Sequence, residues 1–146
     1  MGELQFNNYT YRDINFDGKF DGRGFNGKAG VEDENIHARF NGIVDLTQKL
    51  PVYKFGLKMK ETNLEALHLI KKYTGARLSF NVNTNISGNS INNVNGSVLV
   101  DSIEFVNKGK MLNAGQVQIL SRNFDRQTRI TIASDYVNGA LSGNFK

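Results

Sequence analysis

Apolar residues recur at every second position through most of this chain. Ile14, Phe16, Gly18 and Phe20 share one phase, and four times an apolar residue is followed by Asn-Gly without interrupting the alternation: Phe25-Asn26-Gly27, Phe40-Asn41-Gly42, Val94-Asn95-Gly96 and Val137-Asn138-Gly139. The phase continues to Ala29 and Val31, to Val44 and Leu46, to Val98 and Val100, and to Leu141 and Phe145. Successive strand side chains point to opposite faces, so each copy reads as a strand with one apolar face. An isolated Asn-Gly more often marks a hairpin turn. Here the alternation runs through the dipeptide, which places it within a strand. Glycine on the apolar face leaves room for a sharp bend or for another backbone, so the repeats predict a strongly curved sheet with a hollow inner surface.

The same periodicity predicts about nine strands, over 9–20, 23–31, 36–46, 51–59, 78–82, 94–105, 112–120, 128–134 and 137–145, joined by connections rich in Gly, Asn and Asp. Pro51 opens the fourth, where Tyr53, Phe55, Leu57 and Met59 face one way and Lys54, Lys58 and Lys60 the other. One segment breaks the rhythm. Thr62 with Glu65 forms a capping-box pattern, Gly75 is placed to end a helix, and Ala66, Leu67, Leu69, Ile70 and Tyr73 share an arc opposite Glu65, His68, Lys71 and Lys72. An amphipathic helix near 62–74, lying on the sheet, is expected.

Nine strands make a sheet about 43 Å wide, whereas a twelve-residue helix is only roughly 18 Å long. One helix cannot cover that face. The remaining apolar surface must be buried by closure into a barrel, by folding the sheet over as a trough, by a second copy, or by an apolar ligand. The expected fold class is therefore mainly β: a strongly curved, folded-over antiparallel sheet, trough-like or taco-like, with one helix, in a single domain spanning 1–146.

Composition narrows the classes. The 146 residues carry a formal charge of +4 and a pI near 9.4, but Lys and Arg are scattered among acids, and the ten Phe mostly occupy the apolar phase. No nucleic-acid partner is expected. There is no cysteine, which excludes disulfides, thiol catalysis and thiolate metal sites without fixing a compartment. No apolar run reaches the roughly 18 residues of a membrane span, and the start lacks the basic and apolar regions of a signal peptide. Gly2 is no myristoylation signal, because Phe6 stands where Ser or Thr is needed. The chain begins mid-pattern and ends within an alternation, the pattern of a piece of a longer repetitive β protein.

Candidate chemistry is sparse. His37 and His68 have no carboxylate or nucleophile placed beside them by any motif, and the chain has no nucleophile elbow, phosphate-binding loop, dinucleotide fingerprint or HExxH. We expect a non-enzyme without cofactors. Asp13, Asn15 and Asp17, with Gly18 following, match the start of a calcium loop, but Gly24 stands where a bidentate Glu should close it. This is a weak calcium candidate; the simpler reading is a strand with Ile14, Phe16 and Phe20 inward. Lys49, Lys54, Lys58, Lys60, Lys71, Lys72 and Arg77 form the densest charge cluster. Its plain reading is a solvated outer face; the sharper one is attraction to anionic headgroups.

The apolar-Asn-Gly-x-apolar signature ending in Asp45 and Asp101, the segment from Ile132 to Phe145, and the passage from Pro51 to Leu67 resemble the TamB/AsmA-like family. The similarity extends over nearly the whole chain through degenerate motifs. It implies a segment of a long envelope protein anchored in the inner membrane, located in the periplasm, whose stacked strands form a hydrophobic groove for phospholipid transport or for assembly of outer-membrane proteins. No catalytic residue carries over. The expected helix departs from the family pattern and would plug or cap the groove. The residues predicted to line the groove are Phe25, Phe40, Val44, Tyr53, Phe55, Leu57, Val98, Val100, Ile130, Ile132, Leu141 and Phe145. Expected partners are phospholipid acyl chains, flanking segments of a longer protein, an outer-membrane barrel protein as the resemblance implies, and a second copy pairing through sheet edges. Two other readings stand beside this: a purely structural β module without ligand, and a closed lipocalin-like barrel, the latter disfavoured by the absence of Trp.

Overall fold

The computed structural model describes residues 2–124 and 127–144. Ten strands form one antiparallel sheet in strict chain order. They are β1 (Gly2–Phe6), β2 (Tyr9–Phe20), β3 (Gly24–Asp33), β4 (Ile36–Asp45), β5 (Val52–Asn63), β6 (Arg77–Ser87), β7 (Asn95–Asn107), β8 (Lys110–Phe124), β9 (Gln127–Ser134) and β10 (Asn138–Gly143). β1 and β10 are its two edges, and the sheet is not closed. The mainly β, antiparallel expectation holds. The additional strand is β1, whose turn to β2 is made by Asn7 and Asn8, both left-handed at φ 50° and 60°. Two consecutive left-handed residues suit the right-handed twist of a tight hairpin, and Asn tolerates them.

Two expectations are corrected. No helix occurs among the described residues. β5 instead runs to Asn63, with Thr62 opposite Leu78 and Asn63 opposite Arg77. The intervening segment must begin and end at neighbouring points, whereas a twelve-residue helix would separate its ends by roughly 18 Å. It folds as a compact loop with close ends. Asn63 makes a cap-like contact, its side chain accepting from Ala66 N–H at 3.1 Å, and His68 then turns left-handed at φ 58°. Thr62, the expected cap, is fully buried within the strand.

The strong folding-over is not supported either. The glycines that suggested it stand in register, Gly18 opposite Gly27 and Gly27 opposite Gly42. A methyl group on Gly18 would come within 2.7 Å of Gly27 Cα. The missing side chains are thus used for close approach between adjacent backbones, and the sequence pattern alone cannot separate that use from bending. None of the four Asn-Gly pairs is a turn: two lie within β3 and β4, and two open β7 and β10.

The apolar residues that are nearly inaccessible, Ile36, Leu64, Leu67 and Ala76, belong to or adjoin the 64–76 loop and the β3–β4 turn. Asn7 donates to the Leu67 and His68 carbonyls at 3.4 and 3.1 Å, and Asn63 N–H donates to the Asn35 carbonyl at 2.8 Å. The loop therefore caps one end of the sheet. The rest of the apolar face stays open. The chain exposes 10181 Å², whereas a compact monomer of 16.3 kDa exposes roughly 7,500 Å².

Candidate functional site

Register carries the predicted groove residues into rows. One row crosses nine strands, from Phe20 through Phe25, Val44, Tyr53, Ile86, Gly96, Ser121 and Ile130 to Leu141. Its neighbour contains Phe55, Val98, Ile119 and Ile132, and the next contains Phe40, Leu57, Val82, Val100 and Val117. All the predicted lining residues share this face except Phe145, which lies outside the described residues. They are not equally sheltered. Phe25, Phe40, Phe55, Val98 and Val100 are half-buried, while Ile132 and Leu141 are exposed.

Aromatic rings organise the part of this face over β2 to β5. Phe16 and Phe25 meet edge to face at 6.2 Å between ring centroids, Phe25 and Phe40 at 5.7 Å, and Phe40 and Phe55 at 5.0 Å. Phe16 and Phe25 flank the Gly18–Gly27 pair, and Phe25 and Phe40 flank the Gly27–Gly42 pair. The rings occupy space that the glycines leave on the sheet surface, an arrangement that stabilises glycine within strands. Ring pairs of this geometry contribute about 0.5–1.5 kcal/mol each beyond their area burial.

A groove of about 290 Å³ lies beside this ladder, lined by Leu4, Phe6, Ile14, Phe16, Val31, Ile36, Phe40 and Leu57 among others. Only Phe40 and Leu57 were anticipated as lining it. Leu4 and Phe6 were missed because β1 was missed. Ile14 and Phe16 were legible as inward residues, but alternation reports a face and not where that face is hollow.

The remaining candidates disperse. Asp13, Asn15 and Asp17 lie along β2, where alternate residues stand about 6.8 Å apart, so their oxygens do not converge as a wrapped loop would require. No group of three or more His, Cys, Asp or Glu residues is arranged to hold a metal ion among the described residues. Of the basic cluster, Lys54, Lys58 and Lys60 share one face of β5, Lys72 lies 5.4 Å from the Tyr73 ring centroid, and Arg77 donates to the Glu61 carbonyl at 2.8 Å. His37 Nδ1 is 3.0 Å from Glu32 Oε2, and the Arg39 guanidinium donates to Glu32 Oε1 at 3.1 and 3.2 Å. These two partners, His37 foremost and then Arg39, hold the Glu32 carboxyl below its usual range.

The buried carboxylate Asp33 was not anticipated. Tyr9 Oη–H donates to it closely, as do the backbone N–H groups of Asn35 and Arg12, both at 3.1 Å. Burial alone would raise its pKa, but these three donors more than offset that and hold it low. The arrangement ties the β1–β2 hairpin to the β3–β4 turn.

No helix long and apolar enough to cross a membrane occurs among the described residues. Compared with protein-family models, with curated proteins and with solved structures, the chain finds no match in any of the three.

Proposed function

We propose that this chain is a non-catalytic segment of a TamB/AsmA-like envelope protein whose apolar sheet face carries phospholipid acyl chains in the periplasm. The observation that supports the reading is the predominantly apolar face, partly exposed over several rows, with the Phe16–Phe25–Phe40–Phe55 ladder beside an apolar groove. Such a face binds by area, at about 0.8 kcal/mol per methylene removed from water, without directional contacts. Headgroups remain at its rim. The open edges supply the second part of the reading. β10, Asn-Gly-Ala-Leu-Ser-Gly, carries no charged residue, whereas edge strands that stay unpaired are usually blunted by Lys, Pro or a bulge. It is suited to pairing with a flanking segment of a longer chain or with a second copy.

The test is native mass spectrometry of the bacterially expressed chain with lipid identification in its organic extract. Phospholipid in reproducible stoichiometry is expected, and its loss in folded Phe40→Asp or Leu57→Asp protein. A chain that purifies free of lipid and takes up no fluorescent acyl probe is instead a purely structural β module.

A further inference from the structure

The opposite face of the sheet has its own architecture, centred on Gly56. Alternation along β5 places Lys54, Gly56 and Lys58 on the polar face. Register sets Asn41 beside Gly56 on one flank and Asn83 on the other. A residue without a side chain is thus bounded along its strand by two lysines, whose backbones lie about 6.8 Å away, and across the sheet by two asparagines on strands about 4.8 Å away. The hollow is real space: two open grooves, of about 780 and 480 Å³, share Asn41, Gly56 and Asn83 in their linings. The larger lies within the range of small-molecule sites, roughly 300–1,000 Å³.

The charges around it are unbalanced. Arg39 stands directly opposite Lys58, and like charges in that position destabilise a strand pair. The carboxylate that lines the larger groove, Glu32, and the nearby Asp101 on β7 are otherwise engaged. Glu32 is taken by Arg39 and His37, and Asp101 accepts from Asn81 and Ser102. Asp17 stands opposite Lys28, one position further along the row. No carboxylate among the described residues pairs with Lys54 or Lys58. With Arg39 paired to Glu32, Lys54 and Lys58 are the cations left to bind an anion: one seated over Gly56 would receive donors from both lysines, while the amides of Asn41 and Asn83 can donate to or accept from neighbouring hydroxyls.

We propose that the Gly56 hollow is a binding site for an anionic saccharide, its phosphate or carboxylate group held by Lys54 and Lys58 and its hydroxyls by Asn41 and Asn83. Continuity of the two grooves across β5 and β6 favours an extended ligand with several polar groups over a lone ion. A lipid headgroup is disfavoured because acyl chains on the apolar face would be separated from this hollow by the sheet itself. The site is therefore independent of the acyl-chain reading and stands or falls separately from it.

Gly56 supplies an unusually clean test. A Cβ there would meet Asn83 Oδ1 at 3.5 Å, ordinary contact, with no left-handed backbone to strain. Gly56→Val should therefore fold and fill the hollow. Titrations of the isotopically labelled 146-residue chain, followed by amide chemical shifts at about 0.15 M salt, would use glucose 6-phosphate, glucuronate, inorganic phosphate and glucose. Expected is saturable binding of at least one sugar anion, tighter than inorganic phosphate or glucose, with shifts centred on residues 41, 54–58 and 83. Gly56→Val and Lys58→Gln should each weaken it about tenfold or more, and Lys19→Gln, on the same face but away from the hollow, less than twofold. If Gly56→Val loses its dispersed spectrum, the Lys54→Gln/Lys58→Gln double variant decides in its place. Equal weakening by Lys19→Gln and Lys58→Gln would reduce the effect to diffuse attraction and overturn the site. So would phosphate binding as tightly as the sugar anions, or no saturable binding by either sugar anion.

Discussion

Glycine has opposite meanings at two positions only fourteen residues apart in this sheet. At Gly42, φ is 151° and an added Cβ would lie 2.5 Å from Phe55 Cα, so Gly42→Ala should cost about 1–3 kcal/mol, as overpacking does. At Gly56 there is ordinary contact and no strain, so Gly56→Ala should be neutral or stabilise by up to ~1 kcal/mol through backbone entropy. Urea unfolding of the two variants checks the contrast; similar losses in both would refute the close-approach account. Asp33 provides the pH-dependent prediction. Its folded pKa lies below its ordinary value, so its stabilisation is present above about pH 4 and is lost as pH falls through the folded value. Asp33→Asn keeps the shape and removes the titration. Its denaturation midpoint should therefore vary less with pH below about 4 than that of the parent chain.

Among the elements, the β5–β6 loop shows how far local pattern can mislead. Ala66, Leu67, Leu69, Ile70 and Tyr73 mark a helical arc, yet Leu67 is buried whereas Leu69 is 53% exposed. Pairing of Asn63 with Arg77 brings the ends together, and a sustained helix cannot satisfy that closure. The loop nevertheless carries much of the small core. Leu67→Ala should cost about 2–5 kcal/mol, measured by denaturant unfolding, and should loosen the Asn7 and His68 contacts that join the loop to the first hairpin. A loss below ~1 kcal/mol would show that the loop caps the sheet without stabilising it.

As one body, the chain presents roughly 2,700 Å² more surface than a compact monomer of its mass. That excess exceeds the roughly 1,200–2,000 Å² buried in a typical specific interface. A sheet this open should not remain bare in water. Sedimentation of delipidated chain is expected to show dimers or larger species, which a non-ionic detergent dissociates by covering the apolar face. A monomer at tens of micromolar, with no detergent bound, would argue that the face is tolerated uncovered.

Which residues share a face was written in the sequence, because a period of two survives whatever the strands pair with. Phe25, Phe40, Phe55, Val98 and Ile130 could be grouped before any coordinates, and their register rows agree. Pairing determined the rest. Whether Gly27 bends a strand or admits its neighbour depends on what stands opposite. Whether 64–76 forms a helix depends on where Arg77 must return. Gly56 becomes a hollow only when Asn41 and Asn83 arrive beside it from adjacent strands. Alternation is a local property of the chain; close approach, loop closure and hollows are properties of residues that meet across it.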